Sequence, residues 1–256
     1  MKERKQSRSF VVIALGWSYI CWVGAIIFSI YNPDSAFIQV LHFLGGVGPL
    51  VATIVIISRM GNWREYLKRV VNFSGFSPFV VLVLFSPIVI ALIVNLIVHG
   101  KLTLRVDFIN NGLLYVVFLF FFGPLPEELG WRGVLFDSLH KQSFLRAQVI
   151  TAFVWFFWHL PLFFIVGTYQ FGVGFATTSF ILWALQILLQ SMMMGYLYII
   201  SNRSIAFAIL FHYFVNLAGE AFDKNSTTEI ITIGFLAGLT ILLALVHQEI
   251  QYNKNK

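Results

Sequence analysis

Residues 76–98 read FSPFVVLVLFSPIVIALIVNLIV, a stretch without a single Asp, Glu, Lys or Arg. Crossing the roughly 30 Å hydrocarbon core of a bilayer takes about 20 mostly apolar residues in a helix, so this stretch reads as a membrane span. Working outward, comparable apolar segments recur at 10–30, 36–57, 109–126, 145–166, 175–200, 204–219 and 227–247. The expected fold is all-α: a polytopic membrane helix bundle of about eight transmembrane helices, with 1–256 as a single integral membrane domain. The seventh segment is short, and Pro124 and Pro126 are expected to end the fourth, because proline lacks the N–H that a helix interior uses.

Composition agrees. Hydrophobic residues make up 59% of the chain and charged residues 11%, against about 25% charged in an ordinary soluble domain. The single cysteine, Cys21, lies inside the first apolar run, which leaves no disulfide framework and no thiolate cluster. The basic start followed by the long run 10–30, with Trp17 and Trp22 and no small-residue cleavage site, reads as a signal anchor that stays in the membrane.

The net charge of +6 could suggest a nucleic-acid partner, but its distribution argues against one. Lys2, Arg4, Lys5 and Arg8 precede the first helix, and Arg59, Arg64, Lys68 and Arg69 follow the second. Such loops face the cytoplasm. Alternation places Glu127–Arg146, Arg203, Lys254 and Lys256 on that side too, giving a cell-membrane protein with both termini cytoplasmic. The segments 32–35, 168–174 and 220–228 fall on the other side, where Lys101 and Arg105 are the exception.

Ionisable groups inside membrane helices cost about 2.5–3.5 kcal/mol each on insertion scales, so their positions carry information. Three places stand out: Glu127-Glu128 with Arg132, His159, and His212 with Asn216. On a helix, Glu128 and Arg132 share a face and can pair, which turns Glu127 toward different surroundings and leaves it free as a general base. His212 and Asn216 also share a face, an imidazole beside a carboxamide. Taken alone, His159 reads as a packing residue among aromatics and His212–Asn216 as an interhelical hydrogen-bond pair. A water-filled pocket opening to the cytoplasm could instead gather all of these groups. His42, Asn95, Gln186 and Gln190 either line that pocket or bond between helices. Gly234 and Gly238 have the spacing that lets helices approach closely, read as packing within the bundle. Met192-Met193-Met194 reads as core or lipid filling, and Gly45-Gly46-Val47-Gly48 as a kink or a close crossing.

At the three polar places the chain resembles the CPBP family, also called Abi. These are intramembrane proteases that include type II CAAX prenyl endopeptidases and proteins for bacteriocin processing or self-immunity. Its Glu-Glu-x-x-x-Arg motif is met by Glu127, Glu128 and Arg132, and its His-x-x-x-Asn motif by His212 and Asn216. Its Phe-x-x-x-His motif is met at His159 with Trp155 in place of the phenylalanine.

The resemblance implies a protease-like core at about 109–219 and hydrolysis of a peptide bond in a peptide or lipidated protein substrate at the membrane. Glu127, helped by His159, would activate water; His212 and Asn216 would stabilise the oxyanion; Glu128 and Arg132 would hold the first motif. Glu127, His159 and His212 could equally form an open site for a divalent metal such as zinc, although no His-Glu-x-x-His helix is present. Two further readings stand beside this one: a bacteriocin self-immunity or peptide-binding protein without turnover, and a transporter.

Overall fold

The computed structural model describes residues 2–32 and 35–254. Met1, Pro33, Asp34 and the terminal Lys256, used in the charge argument or its loops, lie outside them. The helices are α1 (Lys2–Tyr31), α2 (Ala36–Gly46), α3 (Gly48–Met60), α4 (Trp63–Val70), α5 (Pro78–His99), α6 (Val106–Phe122), α7 (Pro124–Gly130), α8 (Asp137–His140), α9 (Phe144–His159), α10 (Tyr169–Val173), α11 (Thr178–Ile200), α12 (Ile205–Ala221) and α13 (Ser226–Lys254). A π-helical stretch, Trp131–Phe136, links α7 to α8, and a 3₁₀ turn, Leu160–Phe164, follows α9. Among the described residues there is no strand, only an isolated bridge between Leu104 and Phe222. Among the described residues, seven helical spans are long and apolar enough to cross a membrane, and Ile205–Ala221 is a shorter apolar helix. The protein is therefore a multi-pass, all-α membrane bundle.

Its surface fits lipid. Ile20, Leu82, Ile97, Leu113, Leu114 and Leu245 are more than half exposed, an arrangement that water would penalise and hydrocarbon tolerates. Inside, α1 runs along α2 and α3, α11 along α9 and α13, and α5 along α12, with α7 wedged between α3 and α12.

Glycine permits the closest of these approaches. The segment 45–48 is both a break and a crossing: α2 stops and α3 starts at Val47. A side chain at Gly45 would strike the Trp22 indole, and one at Gly48 would strike Ser18. Ser18 Oγ donates to the Gly45 carbonyl at 2.6 Å and accepts from Trp158 Nε1 at 2.7 Å, tying α1 to α2 and α9.

Pro87 lies inside α5 and removes the N–H that would bond the Val83 carbonyl. Ser86 Oγ donates to that carbonyl at 2.7 Å, so the backbone group freed by proline is satisfied inside the apolar layer.

Three expectations need correction. Pro124 and Pro126 do not end the fourth span. The chain breaks at Gly123, Pro124 then occupies the first turn of α7, where a missing N–H costs nothing, and the span runs on to His140. Glu127 and Glu128 are consequently buried within a helix instead of lying at a membrane boundary. Lastly, Gly234 and Gly238 do not pack within the bundle: no atom lies within 4 Å of a Cβ placed on either. Met193 and Met194 are fully buried core residues.

Candidate active site

Helices α7, α9 and α12 bring the three polar places together. Consecutive positions on a helix point about 100° apart, and the two glutamates use that difference. Glu128 is 0% exposed, whereas Glu127 keeps 7%. Arg132 Nη1 donates to both Glu128 oxygens, at 3.0 and 2.9 Å, and its Nη2 donates to the Ser191 carbonyl at 3.0 Å and Oγ at 2.7 Å. His212 Nδ1 lies 2.9 Å from Glu128 Oε1. The pair expected from the i, i+4 spacing is thus present, and it reaches α11 and α12 as well. A buried carboxylate is tolerated in such a place only when donors surround it.

Glu127 has a different partner. Its Oε2 accepts the indole N–H of Trp155 at 2.7 Å. The carbonyl of Trp155 also lies 2.8 Å from His159 Nδ1. A carbonyl only accepts, so Nδ1 carries the proton and Nε2 is left with a lone pair. The Trp155 ring meets the rings of His159 and His212 edge to face, with centroids 5.3 and 5.2 Å away, and the Arg132 guanidinium sits 5.3 Å from its centroid.

Asn216 follows His212 by one turn of α12. Across from it is Gly123, where an added Cβ would lie 3.2 Å from Asn216 Nδ2. The glycine at the α6–α7 break therefore keeps the carboxamide clear.

Glu127, His159, His212 and Asn216 line one cavity of about 400 Å³. Pro87, Ile90, Val94, Leu162, Trp183 and Ile187 form apolar wall around that polar floor, and His42, Asn95, Gln186 and Gln190 also line it. The sequence left those last four between cavity and interhelical bonding, and the structure places them on the cavity. Tyr169, Gln170, Asp223, Lys224 and Thr228 line the cavity, and they belong to the segments 168–174 and 220–228. Residues 144–159 form the whole of α9, so His159 ends that helix far from its basic start.

The residues weighed for zinc do not fit it in this arrangement. Among the described residues, no three His, Cys, Asp or Glu side chains are grouped to hold a metal ion, and one Glu127 oxygen is engaged by an indole N–H. Sequence reasoning passed over Trp155 as a hydrogen-bond donor and Ser191 as the anchor of Arg132. The signal for Trp155 was present in the exchange of phenylalanine for tryptophan one turn before His159. Ser191, a serine among apolar residues, gave none.

A multi-pass helix bundle with a buried acid and imidazoles on the floor of an apolar cavity suits hydrolysis of a peptide bond within the membrane. Residues 109–218 match the family model described as Type II CAAX prenyl endopeptidase Rce1-like. The chain is also 26% identical over 242 residues, 88% of its length and 89% of the relative's, to a protein of Methanococcus maripaludis named CAAX prenyl protease 2. The protein is an intramembrane endopeptidase.

Proposed function

We propose that Glu127 and His159 activate a water molecule for attack on a peptide bond of a peptide or prenylated protein, with His212 and Asn216 facing the developing oxyanion. The carrying observation is that one residue, Trp155, fixes both members of the first pair. With Oε2 engaged by the indole, Glu127 offers Oε1, and His159 offers Nε2. These are two acceptors for the two hydrogens of one water, and such a water presents its lone pair to a carbonyl.

In the reaction the water oxygen bonds to the carbonyl carbon while its proton passes to Glu127. The negative charge on the former carbonyl oxygen meets the Asn216 carboxamide N–H and the Nε2–H of a doubly protonated His212, whose Nδ1–H is held by Glu128. Donors in that role are worth about 2.7–4 kcal/mol each in a studied protease. Collapse of the intermediate breaks the C–N bond, and the proton held by Glu127 goes to the leaving nitrogen. The products are a carboxylic acid and an amine. Glu128 and Arg132 hold α7 and His212 in place. The apolar walls suit a prenyl group or an apolar side chain beside the scissile bond, and the basic loops support cytoplasmic termini.

The test is cleavage of prenylated and unprenylated fluorogenic peptides by purified, detergent-solubilised protein. The expected result is turnover by the wild type that disappears in Glu127→Gln while the variant still folds. Turnover that survives Glu127→Gln overturns the assignment. Peptide binding without turnover by the wild type would support a recognition or immunity protein instead.

A further inference from the structure

Helix α11 passes the active site with two carboxamides on the cavity wall. Trp183, Gln186, Ile187 and Gln190 all line the cavity, and their i, i+3, i+4, i+7 spacing is that of one helix face. The helix runs antiparallel to α9. The Phe156 and Trp183 rings lie 5.9 Å apart at one level, and further along Gln148 Nε2 donates to the Met192 carbonyl at 2.9 Å.

The reacting groups sit between those levels. Trp183 meets the His159 ring edge to face at 5.6 Å, and Ser191, next in sequence to Gln190, holds the Arg132 guanidinium that grips Glu128. Gln186 and Gln190 therefore flank the stretch of cavity where Glu127 and His159 are held.

Other carboxamides of the bundle are committed, Gln148 to Met192 and Asn95 to Thr103. Among the described residues, Gln186 and Gln190 have no hydrogen-bond partner, and both are only partly buried. Each offers two donors and an acceptor. Polar groups left unanswered among apolar residues are costly, so a pair of them on a cavity wall marks a surface kept for an incoming polar chain.

Their spacing specifies the form of that chain. Four residues of α-helix rise about 6.0 Å. In an extended peptide the N–H and C=O of every second residue point to the same edge, and two residues span about 6.6 Å. The two repeats nearly coincide. A helical segment would have its backbone groups bonded internally and none to offer.

We infer that Gln186 and Gln190 grip the backbone of an extended peptide segment lying along α11 beside Glu127, each carboxamide bonding the N–H and C=O of one residue, the two residues being alternate ones. The word substrate rests on the peptidase reading; the grip itself does not. The substrate class is accordingly an unwound or unstructured stretch recognised through its main chain, with side chains that alternate across the strand. Because these bonds are present before and during the reaction, they act on KM and leave kcat alone.

The test is steady-state cleavage in detergent of one fluorogenic peptide and of analogues N-methylated at single backbone amides. Wild type, Gln186→Met and Gln190→Met are compared, methionine keeping the length of the side chain. Each variant should raise KM by about 3- to 10-fold, in the range of one or two neutral hydrogen bonds, with kcat unchanged. Wild type should lose affinity for analogues methylated at two amides, two residues apart. At one of these Gln186→Met should add nothing further, and at the other Gln190→Met should add nothing.

Unaltered KM in both variants overturns the inference, as does a full additional loss on every analogue. The wild-type scan needs no variant to fold: the absence of any two sensitive amides at that spacing also overturns it. No wild-type turnover on any peptide counts against the peptidase reading instead. The same analogues are then compared by fluorescence-polarisation binding to wild type, where weakened binding at two alternate amides upholds the grip and uniform binding overturns it.

Discussion

Trp155 donates its indole N–H to Glu127 Oε2 at 2.7 Å, while its backbone carbonyl engages His159. Phenylalanine at this position would keep the ring and the carbonyl but lose the donor. In Trp155→Phe, Glu127 is thus free to turn, with His159 still held. Loss of a hydrogen bond to a charged group costs roughly 1.5–3 kcal/mol, so kcat should fall by about 10- to 100-fold with little change in KM. Steady-state kinetics on one peptide would check this, and an unchanged kcat would remove Trp155 from the machinery.

The two glutamates should fail differently. Glu127→Gln should reduce turnover by at least about 10²-fold, within the usual contribution of a general base, at an unaltered melting temperature. Glu128→Gln strips the charge from a carboxylate that Arg132 and His212 both meet. Breaking a buried pair from one side costs roughly 3–5 kcal/mol, so its melting temperature in detergent should fall clearly. Equal thermal behaviour of the two variants would contradict this division of labour.

Asp137 joins three elements near the basic face. Arg203 donates to it at 2.6 Å, Tyr198 OH at 2.7 Å, and Arg69 lies 3.2 Å away. Asn202 and Arg203, which deliver that cation, both have positive φ, 59° and 61°, so the ion pair also holds an unfavourable turn. Asp137→Ala should destabilise the protein by roughly 1–3 kcal/mol, measured as a lower melting temperature, and leave the kcat of the folded fraction intact. A loss of kcat in fully folded protein would link this network to the chemistry.

Since no three ligand side chains among the described residues are grouped in this arrangement, treatment with a chelator should leave peptide cleavage unchanged. Loss of activity on chelation, restored by zinc, would show that Glu127, His159 and His212 regroup around a metal.

Much of the architecture was legible because apolar length alone governs membrane spanning: the runs 76–98 and 175–200 reappear as α5 and α11. What periodicity could not supply was the behaviour of prolines at a break. Pro124 looks the same in sequence whether it stops one helix or starts the next, and only the backbone at Gly123 decides. In the site, Glu128 and Arg132 were readable because helical spacing forces them together. Their anchor Ser191 was not, since its role depends on the packing of α11 against the π-helical stretch.

The bond from Ser86 to the carbonyl freed by Pro87 bears on how a peptide travels through the cavity. Asn95, further along the same wall, is likewise committed, donating to Thr103 Oγ1 at 2.8 Å and accepting the Thr103 N–H at 2.7 Å. A descending backbone thus gives up water along a side that offers it no replacement, and nothing on α5 rewards stopping there. Its amides find new partners on the other walls, at Gln186, Gln190, His212 and Asn216, so the muteness of one wall helps to decide which bond comes to rest beside Glu127.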